Sequence, residues 1–331
     1  MAQSFEQLLA AVNGRIAELP AFRRQPDRLY APAVYTMDLG GKRIRPVMAL
    51  MASQLFGGAV QATLGPAVGL EVFHNFTLLH DDVMDRAAMR RGKPTVHAKW
   101  DTNTAILTGD AMFAVALQLM SGAPAGSLRA VLQAFGDLAV GVCEGQQYDM
   151  NFETQPQVSM DEYMEMIRLK TAVLIAGALQ IGALAAGAPA GSVSRLQAYG
   201  TQIGLAFQLQ DDLLDLYADE AKFGKKIGSD IRENKKTYLY IKALELLPAA
   251  EAAALEKAFA TPTRPETEAG KVAFVKNLYE QADVKRHCEA EIQAMFQAGE
   301  AHLDAIPQTE IDPEAMTVLK QFTARLLGRD Y

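Results

Sequence analysis

Hydrophobic positions recur with helical spacing along almost the whole chain. Residues 4–19 carry apolar side chains three or four positions apart, which is the spacing of one helix face. Asp101, Thr102 or Asn103 can cap a helix that runs through Leu119. The same periodicity predicts helices at residues 28–39, 47–56, 63–86, 128–152, 160–187, 193–218, 237–259, 268–305 and 312–327. No segment shows the strict alternation of a half-buried strand, so the pattern predicts an all-α fold.

The composition is that of a single large domain over residues 1–331. Half of the 331 residues are hydrophobic, which is enough to bury a sizeable core, and no linker divides the chain. The formal net charge of −7 argues against a general nucleic-acid surface. The longest apolar run, residues 172–187, is only about 16 residues long and contains Gln180. It therefore predicts a buried helix, and we expect no membrane span.

The cysteines and the N-terminal stretch indicate a cytoplasmic location. Cys143 and Cys288 are the two cysteines of the chain, and their spacing fits neither a metal site nor a redox motif. A reducing compartment is the simplest context for them. The N-terminal stretch contains Glu6 and Pro20 and has no continuous apolar core, so it does not resemble a signal peptide.

An acidic segment closes one of the predicted apolar helices. Its carboxylates are Asp81, Asp82 and Asp85. In helical spacing, His74, Asp81 and Asp85 share one face. Neighbouring carboxylates repel one another, but divalent cations would remove this cost, and hard oxygen ligands suit magnesium. Arg90 and Arg91 follow, and they suggest phosphate oxygens as the other ligands of the metal. The alternative is a solvated acidic helix end followed by a basic loop.

A second acidic segment repeats this pattern in another apolar helix. Its carboxylates are Asp211, Asp212 and Asp215. Gly204, Gln208, Asp211 and Asp215 again share one face, and the leucines between them are available for packing. Because two such runs lie inside otherwise apolar helices, we expect them to form one shared metal cage.

A basic turn at residues 40–46 is a candidate anion site. Two glycines permit a tight turn, and Pro46 suits the first turn of the following helix. Free backbone N–H groups and the helix dipole favour anions at such an N-terminus, so the segment suggests a diphosphate site. Its three cations are Lys42, Arg43 and Arg45. The alternative is a solvated basic turn.

Three further polar segments interrupt the apolar pattern. Lys170 enters the apolar half of a long helix, where either an anionic ligand or a structural salt bridge would satisfy it. Residues 144–149 place polar groups on an apolar face, so they either line a cavity or form a buried hydrogen-bonded network. Residues 222–237 are rich in lysine and glycine, as a flexible lid over phosphate groups would be.

Together these segments resemble the trans-isoprenyl diphosphate synthase (polyprenyl synthetase) family over about residues 35–245. The matching pieces, in the family's order, are Gly40-Gly-Lys-Arg-Ile-Arg-Pro46, His80-Asp-Asp-Val-Met-Asp85, Arg90-Arg91-Gly, Lys170-Thr171, Phe207-Gln-Leu-Gln-Asp-Asp-Leu-Leu-Asp215 and Gly224-Lys. Each piece is weak alone, but six in this order are very specific. The resemblance implies an all-α bundle around a deep central cavity, and a homodimer.

The resemblance also implies two diphosphate sites. In the family, three Mg²⁺ ions bridge the acidic motifs and hold an allylic diphosphate. Asp81, Asp85 and Asp211 match the direct metal ligands, and Asp82, Asp212, Asp215 and Asp230 match residues that act through waters and neighbouring contacts. The cations on the allylic diphosphate match Arg90, Lys170, Lys225 and Lys235, with Lys226 as the alternative to Lys225. The isopentenyl diphosphate site matches Lys42, Arg45, His74 and Arg91.

The implied reaction is ionisation, condensation and elimination. Magnesium and the cations stabilise the leaving diphosphate, so the allylic C–O bond ionises. Lys170 would assist this step, and the oxygens of Thr171 and Gln208 would shelter the carbocation. The isopentenyl double bond attacks, and the departed diphosphate accepts the proton that is lost. The allylic primer is dimethylallyl, geranyl or farnesyl diphosphate.

The residues upstream of the first motif bear on product length. Phe76 and Thr77 stand five and four positions before Asp81. In the family, aromatic residues at these positions floor the pocket, and one aromatic beside a small residue suggests a product of fifteen or twenty carbons. Phe73 would cap the pocket still deeper. The alternative is that both phenylalanines belong to the core.

Other functions are open at this stage. One is a synthase of longer polyprenyl diphosphates. A class I terpene cyclase shares the fold, but it normally carries a different second motif and lacks the isopentenyl site. A noncatalytic partner subunit usually loses its acidic motifs, and this chain has both.

Overall fold

The computed structural model describes residues 2–218, 227–261, 263–264 and 267–328. Its elements in chain order are α1 (Phe5–Ala17), α2 (Asp27–Asp38), α3 (Ile44–Leu55), α4 (Val60–Met84), β1 (Met89–Arg90), β2 (Lys93–Pro94), α5 (Val96–Lys99), α6 (Thr102–Met120), α7 (Leu128–Thr154), α8 (Met160–Ile167), α9 (Val173–Ala185), α10 (Ala190–Tyr217), α11 (Ser229–Arg232), α12 (Tyr238–Leu246), α13 (Ala249–Ala260), α14 (Glu268–Gln281), α15 (Val284–Asp304) and α16 (Pro313–Leu327). Short 3₁₀ turns lie at Pro20–Phe22 and Gln308–Glu310, and a π-helical turn at Arg168–Ala172 separates α8 from α9.

The all-α prediction is confirmed, and local capping explains several helix starts. The Ser4 side chain accepts a hydrogen bond from the backbone N–H of Gln7, and the Gln7 side chain returns one to Ser4, which forms a capping box before α1. Asp101 caps α6 by accepting from the backbone N–H of Thr104. Such caps satisfy donors that a helix start would otherwise leave unpaired.

Three long helices of the sequence prediction are interrupted. The one predicted at residues 160–187 contains the π-helical turn at Arg168–Ala172. The one predicted at 237–259 breaks at Leu247 and Pro248, since proline cannot continue a helix at that point. The one predicted at 268–305 breaks at Asp283, which adopts a left-handed conformation with φ 50°. Apolar periodicity continues across each break, so it could not reveal them.

The described residues fall into two compact units. Among them, the first unit takes residues 2–136, 177–197 and 306–322, and the second takes those that lie within 137–176, 198–305 and 323–328. The expectation of a single domain over residues 1–331 stays a prediction.

In the first unit, α4 packs against both α3 and α6. Almost every side chain of α3 is buried, from Val47 to Leu55. Gly182 of α9 permits a close approach to α3, since a Cβ at this position would lie 2.0 Å from the Ala49 carbonyl oxygen. The C-terminal end of α4 is therefore held between other helices, and it carries the first acidic motif.

In the second unit, the C-terminal half of α10 lies in a hydrophobic cluster with residues of α8, α12, α14 and α15. Leu209, Leu213 and Leu216 contribute the apolar face of α10, as their spacing predicts. Because this face is buried, the rotation of α10 about its own axis is set. The opposite face carries Asp211 and Asp215.

Two helical stretches, Thr102–Met120 and Met160–Ala185, are long and apolar enough to pass a composition test for a membrane span. Core helices of soluble proteins pass the same test, and 67% of the apolar 18-residue window of the second stretch is buried inside the protein. The expectation of no membrane span stays a prediction.

Candidate active site

The basic turn before α3 is held in an unusual backbone conformation. Gly40 and Gly41 have φ angles of 78° and 146°, and Arg43 lies in the left-handed region at φ 49°. Glycine reaches the first two conformations without steric cost, whereas arginine does so only against strain. Pro46 lies in the first turn of α3, as predicted.

Hydrogen bonds of the Arg43 side chain offset the strain of its backbone conformation. It is buried, and it donates hydrogen bonds to Glu71 Oε1 at 2.6 Å and to the Met37 carbonyl oxygen at 2.8 Å. Asn75 also donates to Glu71, at 3.2 Å from the same oxygen. The expectation that three cations of this turn face a diphosphate is therefore wrong for Arg43, whose charge is committed to a buried ion pair. Composition alone could not distinguish it from its neighbours.

Arg45 and His74 are brought together beside this turn. Arg45 Nη1 lies 3.1 Å from His74 Nε2 and donates a hydrogen bond to it. Burial lowers the pKa of His74 well below its ordinary value, and the nearby guanidinium groups of Arg45, Arg91, Arg90 and Arg43 lower it further. The imidazole is therefore neutral, and its Nε2 accepts the bond from Arg45.

Arg91 closes the other side of the turn. Its guanidinium group donates to the Gly40 carbonyl oxygen. A Cβ on Gly41 would lie 3.2 Å from Arg91 Nη2, so this glycine permits the contact. Arg45, His74 and Arg91 thus gather around the glycine turn, and Lys42 is exposed on the turn itself. The structure places all four residues of the predicted isopentenyl site in one region of the first unit.

The first acidic motif lies at the C-terminal end of α4. Asp81 and Asp82 occupy the last turn, and Asp85 is the C-cap residue. Asp82 is buried and accepts a hydrogen bond from Arg90 Nε at 2.8 Å. Burial raises the pKa of Asp82 from its ordinary value, although the charge and the hydrogen bond of Arg90 act to lower it. Asp81 is half-buried and Asp85 is exposed, so the motif contains one enclosed carboxylate and two that are open to solvent.

A β-hairpin follows the motif where the sequence predicted only a basic loop. Met89 pairs with Pro94 and Arg90 with Lys93. Arg91 and Gly92 form the turn with φ angles of 51° and 72°, as in a type I′ turn. The hairpin sends the two adjacent arginines to different partners, since Arg90 reaches Asp82 while Arg91 reaches the glycine turn. Two-residue strands are too short to leave a periodic signal in the sequence.

Aromatic rings surround the face of α4 that precedes the motif. Phe76 lies 5.5 Å from Phe113 and 5.4 Å from Phe73, measured between ring centroids. Phe73 and Phe135 are buried, and their centroids are 5.3 Å apart. Phe76 is half-buried and Phe113 is 36% exposed. Phe73 therefore belongs to the core, whereas Phe76 lies at its edge.

The second acidic motif lies near the C-terminal end of α10, in the second unit. Asp212 is buried and accepts hydrogen bonds from the Tyr163 hydroxyl and from Gln208 Nε2 at 3.0 Å. Burial raises the pKa of Asp212, and the two hydrogen bonds oppose that effect. Tyr163 could not be identified from the sequence, because it stands 49 residues from Asp212 on a different helix.

Asp215 caps the start of α11. It accepts hydrogen bonds from the backbone N–H groups of Ser229 and Asp230, at 3.2 Å and 3.1 Å. Burial raises the pKa of Asp215 and, more strongly, that of Asp230. Asp215 thus ties the second motif to the segment that carries Asp230 and Lys235.

The π-helical turn places Lys170 and Thr171 beside this motif. A Cβ on Gly145 of α7 would lie 2.3 Å from the Lys170 backbone nitrogen, so only glycine allows α7 to approach the turn this closely. Thr171 Oγ1 donates to Gln208 Oε1 at 2.7 Å. The hydrogen bonds therefore form a continuous path from Thr171 through Gln208 to Asp212. Interruptions of this kind occur frequently at functional sites.

Lys170 has a protein partner. Its Nζ lies 2.5 Å from Asp149 Oδ2, and both side chains are three-quarters buried. Of the two partners that the sequence left open, the structure shows the salt bridge. Asp149 is one of the polar residues of 144–149, and this contact accounts for its place on an apolar helix face.

Lys235 and Lys236 lie on the segment after α11. Lys235 Nζ is 3.2 Å from Glu233 Oε2. Burial alone would lower the pKa of Lys235, but Glu233 and Asp230 outweigh it and raise that pKa. Lys236 donates to the Phe152 carbonyl oxygen at 2.7 Å. Lys225 and Lys226 lie outside the described residues.

Among the described residues, no three Asp, Glu, His or Cys side chains form a ready-made metal site. The assignment of magnesium ligands stays a prediction.

Comparisons with known proteins place the chain among the enzymes that its sequence resembles. The polyprenyl synthetase family model matches residues 26–278. A geranylgeranyl diphosphate synthase of Methanosarcina mazei is 40% identical over 84% of this chain and 90% of its own length. A geranylfarnesyl diphosphate synthase of Natronomonas pharaonis is 35% identical over 97% of this chain and 95% of its own. A crystal structure of a geranylgeranyl pyrophosphate synthase superimposes with a TM-score of 0.93 at 40% identity, covering 100% of both chains. The chain therefore belongs to the polyprenyl synthetase family of trans-isoprenyl diphosphate synthases.

Proposed function

We propose that the protein condenses isopentenyl diphosphate with an allylic diphosphate to give a short-chain all-trans prenyl diphosphate. It is a trans-prenyltransferase of the polyprenyl synthetase family. The observation that carries the proposal is the assembly of Arg45, His74 and Arg91 around the glycine turn. A terpene cyclase has no second diphosphate to bind and needs no such site. The primer is dimethylallyl, geranyl or farnesyl diphosphate.

Lys42, Arg45, His74 and Arg91 bind isopentenyl diphosphate in this proposal. Guanidinium groups suit diphosphate because their N–H donors match pairs of phosphate oxygens. The neutral His74 accepts from Arg45 and thereby orients a guanidinium group that the ligand can use. Arg43 takes no part in binding, but its buried bonds to Glu71 and Met37 hold the turn in shape.

The two acidic motifs bind magnesium and the allylic diphosphate in this proposal. Both motifs supply hard oxygen donors near the C-terminal ends of helices, where carboxylates are disfavoured by the helix dipole and a bound cation relieves the cost. Asp81, Asp85 and Asp211 are proposed as direct ligands. Asp82, Asp212 and Asp215 already accept hydrogen bonds from the protein, which supports the view that they orient their neighbours. Three Mg²⁺ ions would supply the charge that stabilises the leaving diphosphate.

The remaining residues act on the allylic diphosphate. Arg90, Lys170, Lys235 and Lys225 neutralise the departing group, and Lys170 exchanges its bond to Asp149 for a phosphate oxygen. Thr171 and Gln208 present oxygen atoms that stabilise the developing cation. Gln208 is well placed for this role because its amide nitrogen is held by Asp212, which fixes where its oxygen points.

We also propose a product of fifteen or twenty carbons, with a longer polyprenyl product as the second candidate. The partial burial of Phe76 beside Phe113 supports an aromatic floor next to the first motif. The relatives are named for products of different length, so the names alone do not choose between them.

A cytoplasmic homodimer completes the proposal. α6 exposes a row of large apolar side chains at helical spacing, which a second copy of the chain would cover. They are Ile106, Leu107, Phe113 and Leu117. Light scattering of the purified protein tests this assembly, and a monomer at micromolar concentration would contradict it.

The activity is tested by incubating the protein with magnesium, radiolabelled isopentenyl diphosphate and each allylic primer. Elongated diphosphates are expected, and their chromatography gives the chain length. Cyclised hydrocarbon would indicate a terpene cyclase, and the absence of any product would indicate a noncatalytic partner subunit. Either result would overturn the proposal.

A further inference from the structure

Gly109 stands in the middle of α6, where glycine is an unfavourable residue. A glycine inside a helix costs about 1 kcal/mol relative to alanine, so it calls for a reason in the packing. A Cβ at this position would lie 2.1 Å from His80 Nε2 and 2.4 Å from His80 Cδ2. The three atoms nearest to that Cβ all belong to His80. The missing side chain of Gly109 is therefore a notch in α6 that the His80 ring fills.

The ring is held in this notch from more than one side. His80 Nε2 lies 3.0 Å from the Ile106 carbonyl oxygen and donates a hydrogen bond to it. The edge-on ring of Phe76, one turn earlier on α4, lies 4.7 Å from the imidazole between centroids. A side chain with a hydrogen bond, an aromatic contact and a fitted notch has little freedom to change rotamer.

The contact of His80 with α6 lies next to the first acidic motif. His80 directly precedes Asp81, in the last turns of α4. The end of a helix frays readily, and three carboxylates at the C-terminal end oppose the helix dipole and one another. A fixed ring one residue before Asp81 counters this tendency, because it attaches the last turn of α4 to α6.

We propose that His80, seated on Gly109, is a positioning residue that holds Asp81 and Asp85 in place for magnesium. This inference rests on the proposed function, in which these carboxylates bind the metal. His80 itself contacts neither substrate nor metal. Its effect is to keep the acidic turn ordered before the ions arrive, so that binding does not have to order the turn.

The test is a set of four variants, Gly109→Ala, His80→Ala, His80→Gln and the double variant His80→Ala/Gly109→Ala. Gly109→Ala should drive the ring out of its notch and raise the half-saturating magnesium concentration by about tenfold or more, since small misplacements of reacting groups carry costs of this order. Its KM for isopentenyl diphosphate should stay within about twofold of the wild type. His80→Gln should stay close to the wild type, because the glutamine amide can donate to the Ile106 carbonyl.

His80→Ala separates this proposal from simple crowding, because it removes the ring without adding an atom to α6, and it should raise the half-saturating magnesium concentration by a factor similar to that of Gly109→Ala. Once the ring is absent, alanine at position 109 meets none of these three atoms and is the better helix former. The double variant should therefore unfold at the same or a higher temperature than His80→Ala, and it should need as much magnesium as His80→Ala, because neither variant has the ring that attaches the acidic turn to α6. The proposal is overturned if either Gly109→Ala or His80→Ala has wild-type magnesium dependence.

Asp81→Ala, measured in parallel, distinguishes the failure of this inference from failure of the proposed function. If Asp81→Ala is inactive and Gly109→Ala is normal, His80 is not a positioning residue but the metal assignment stands. If Asp81→Ala keeps near-normal turnover, the metal assignment itself is wrong, and the inference fails with it.

Discussion

Tyr163 of α8 donates its hydroxyl hydrogen bond to Asp212, the middle carboxylate of the second acidic motif, and both side chains are buried. Asp212 also holds Gln208, which in turn accepts from Thr171. Tyr163, which no sequence motif identifies, thus stands at the end of the hydrogen-bonded path that orients three predicted site residues.

Removing the Tyr163 hydroxyl should disturb this path. Tyr163→Phe leaves Asp212 with one fewer donor, and the loss of a buried hydrogen bond to a charged group costs about 1.5–3 kcal/mol. We expect a lower kcat and a higher magnesium requirement. Tyr199→Phe is the matched control, since it removes a buried tyrosine bond to Thr323 in the same unit. It should lower the melting temperature but leave the magnesium titration unchanged. Equal effects of both variants on magnesium would contradict the role of Tyr163.

The buried ion pair of Arg43 and Glu71 should contribute strongly to stability. Glu71→Gln leaves the Arg43 charge buried without its counter-ion, and breaking such a pair costs about 3–5 kcal/mol. Replacing both partners, as in Arg43→Met/Glu71→Leu, should cost less than the single change. Arg28→Ala breaks an ion pair to Asp101 in which Arg28 is 75% exposed, and it should cost under about 1 kcal/mol. Urea unfolding measures all three, and a Glu71→Gln loss as small as that of Arg28→Ala would refute the prediction.

The sequence predicts the features that many neighbouring residues determine together, and it does not predict those that depend on a few residues or on contacts between distant helices. Apolar periodicity locates the helices, and local chemistry identifies the Asp101 cap. The hairpin at Arg91 and the π-helical turn at Lys170 were missed, because each involves too few residues to change a periodic pattern. Arg43 and Arg45 are two residues apart and chemically identical, and only the packing of α3 on α4 sends one inward to Glu71 and the other to His74. Tyr163 was missed because its contact with Asp212 depends on how two distant helices pack.

His74 should make stability depend on pH. Its pKa in the folded protein lies well below the value of about 6.5 expected when unfolded. Below pH 6.5 the unfolded chain therefore binds a proton at His74 that the folded protein does not. As the pH is lowered from about 6.5, the free energy of unfolding should therefore fall by up to about 1.4 kcal/mol per pH unit until the pKa of the folded protein is reached. Above about pH 7 it should not depend on the titration of His74.

His74→Gln isolates this contribution. Subtracting its pH profile from that of the wild type should leave a slope only below about pH 6.5. His97→Gln, measured in parallel, controls for the loss of one histidine side chain, since His97 contacts Thr95 two residues away. A wild-type profile that His74→Gln does not alter would show that the imidazole is not kept neutral.

The two acidic motifs should be required for activity but not for folding. Asp81→Ala and Asp211→Ala each remove a proposed metal ligand, and loss of such a group from a preorganised site costs at least about 10²–10³ in kcat. Neither residue is fully buried, so the melting temperature without magnesium should change little. Asp304→Ala, on the last turn of α15, is a control for the loss of one negative charge. Near-normal turnover in either motif variant would count against the metal assignment.

Phe76 should set the product length. Phe76→Ala removes a half-buried ring beside Phe113 on the face of α4 that leads to Asp81, and it opens space in which a longer chain can lie. Phe73→Ala removes a ring that is 0% exposed, so it should destabilise the core by about 3–5 kcal/mol without a matching change in product. Chromatography of the products measures the shift, with unfolding temperatures recorded for both variants. If Phe76→Ala gives the wild-type chain length, Phe76 is core and the floor of the pocket lies elsewhere.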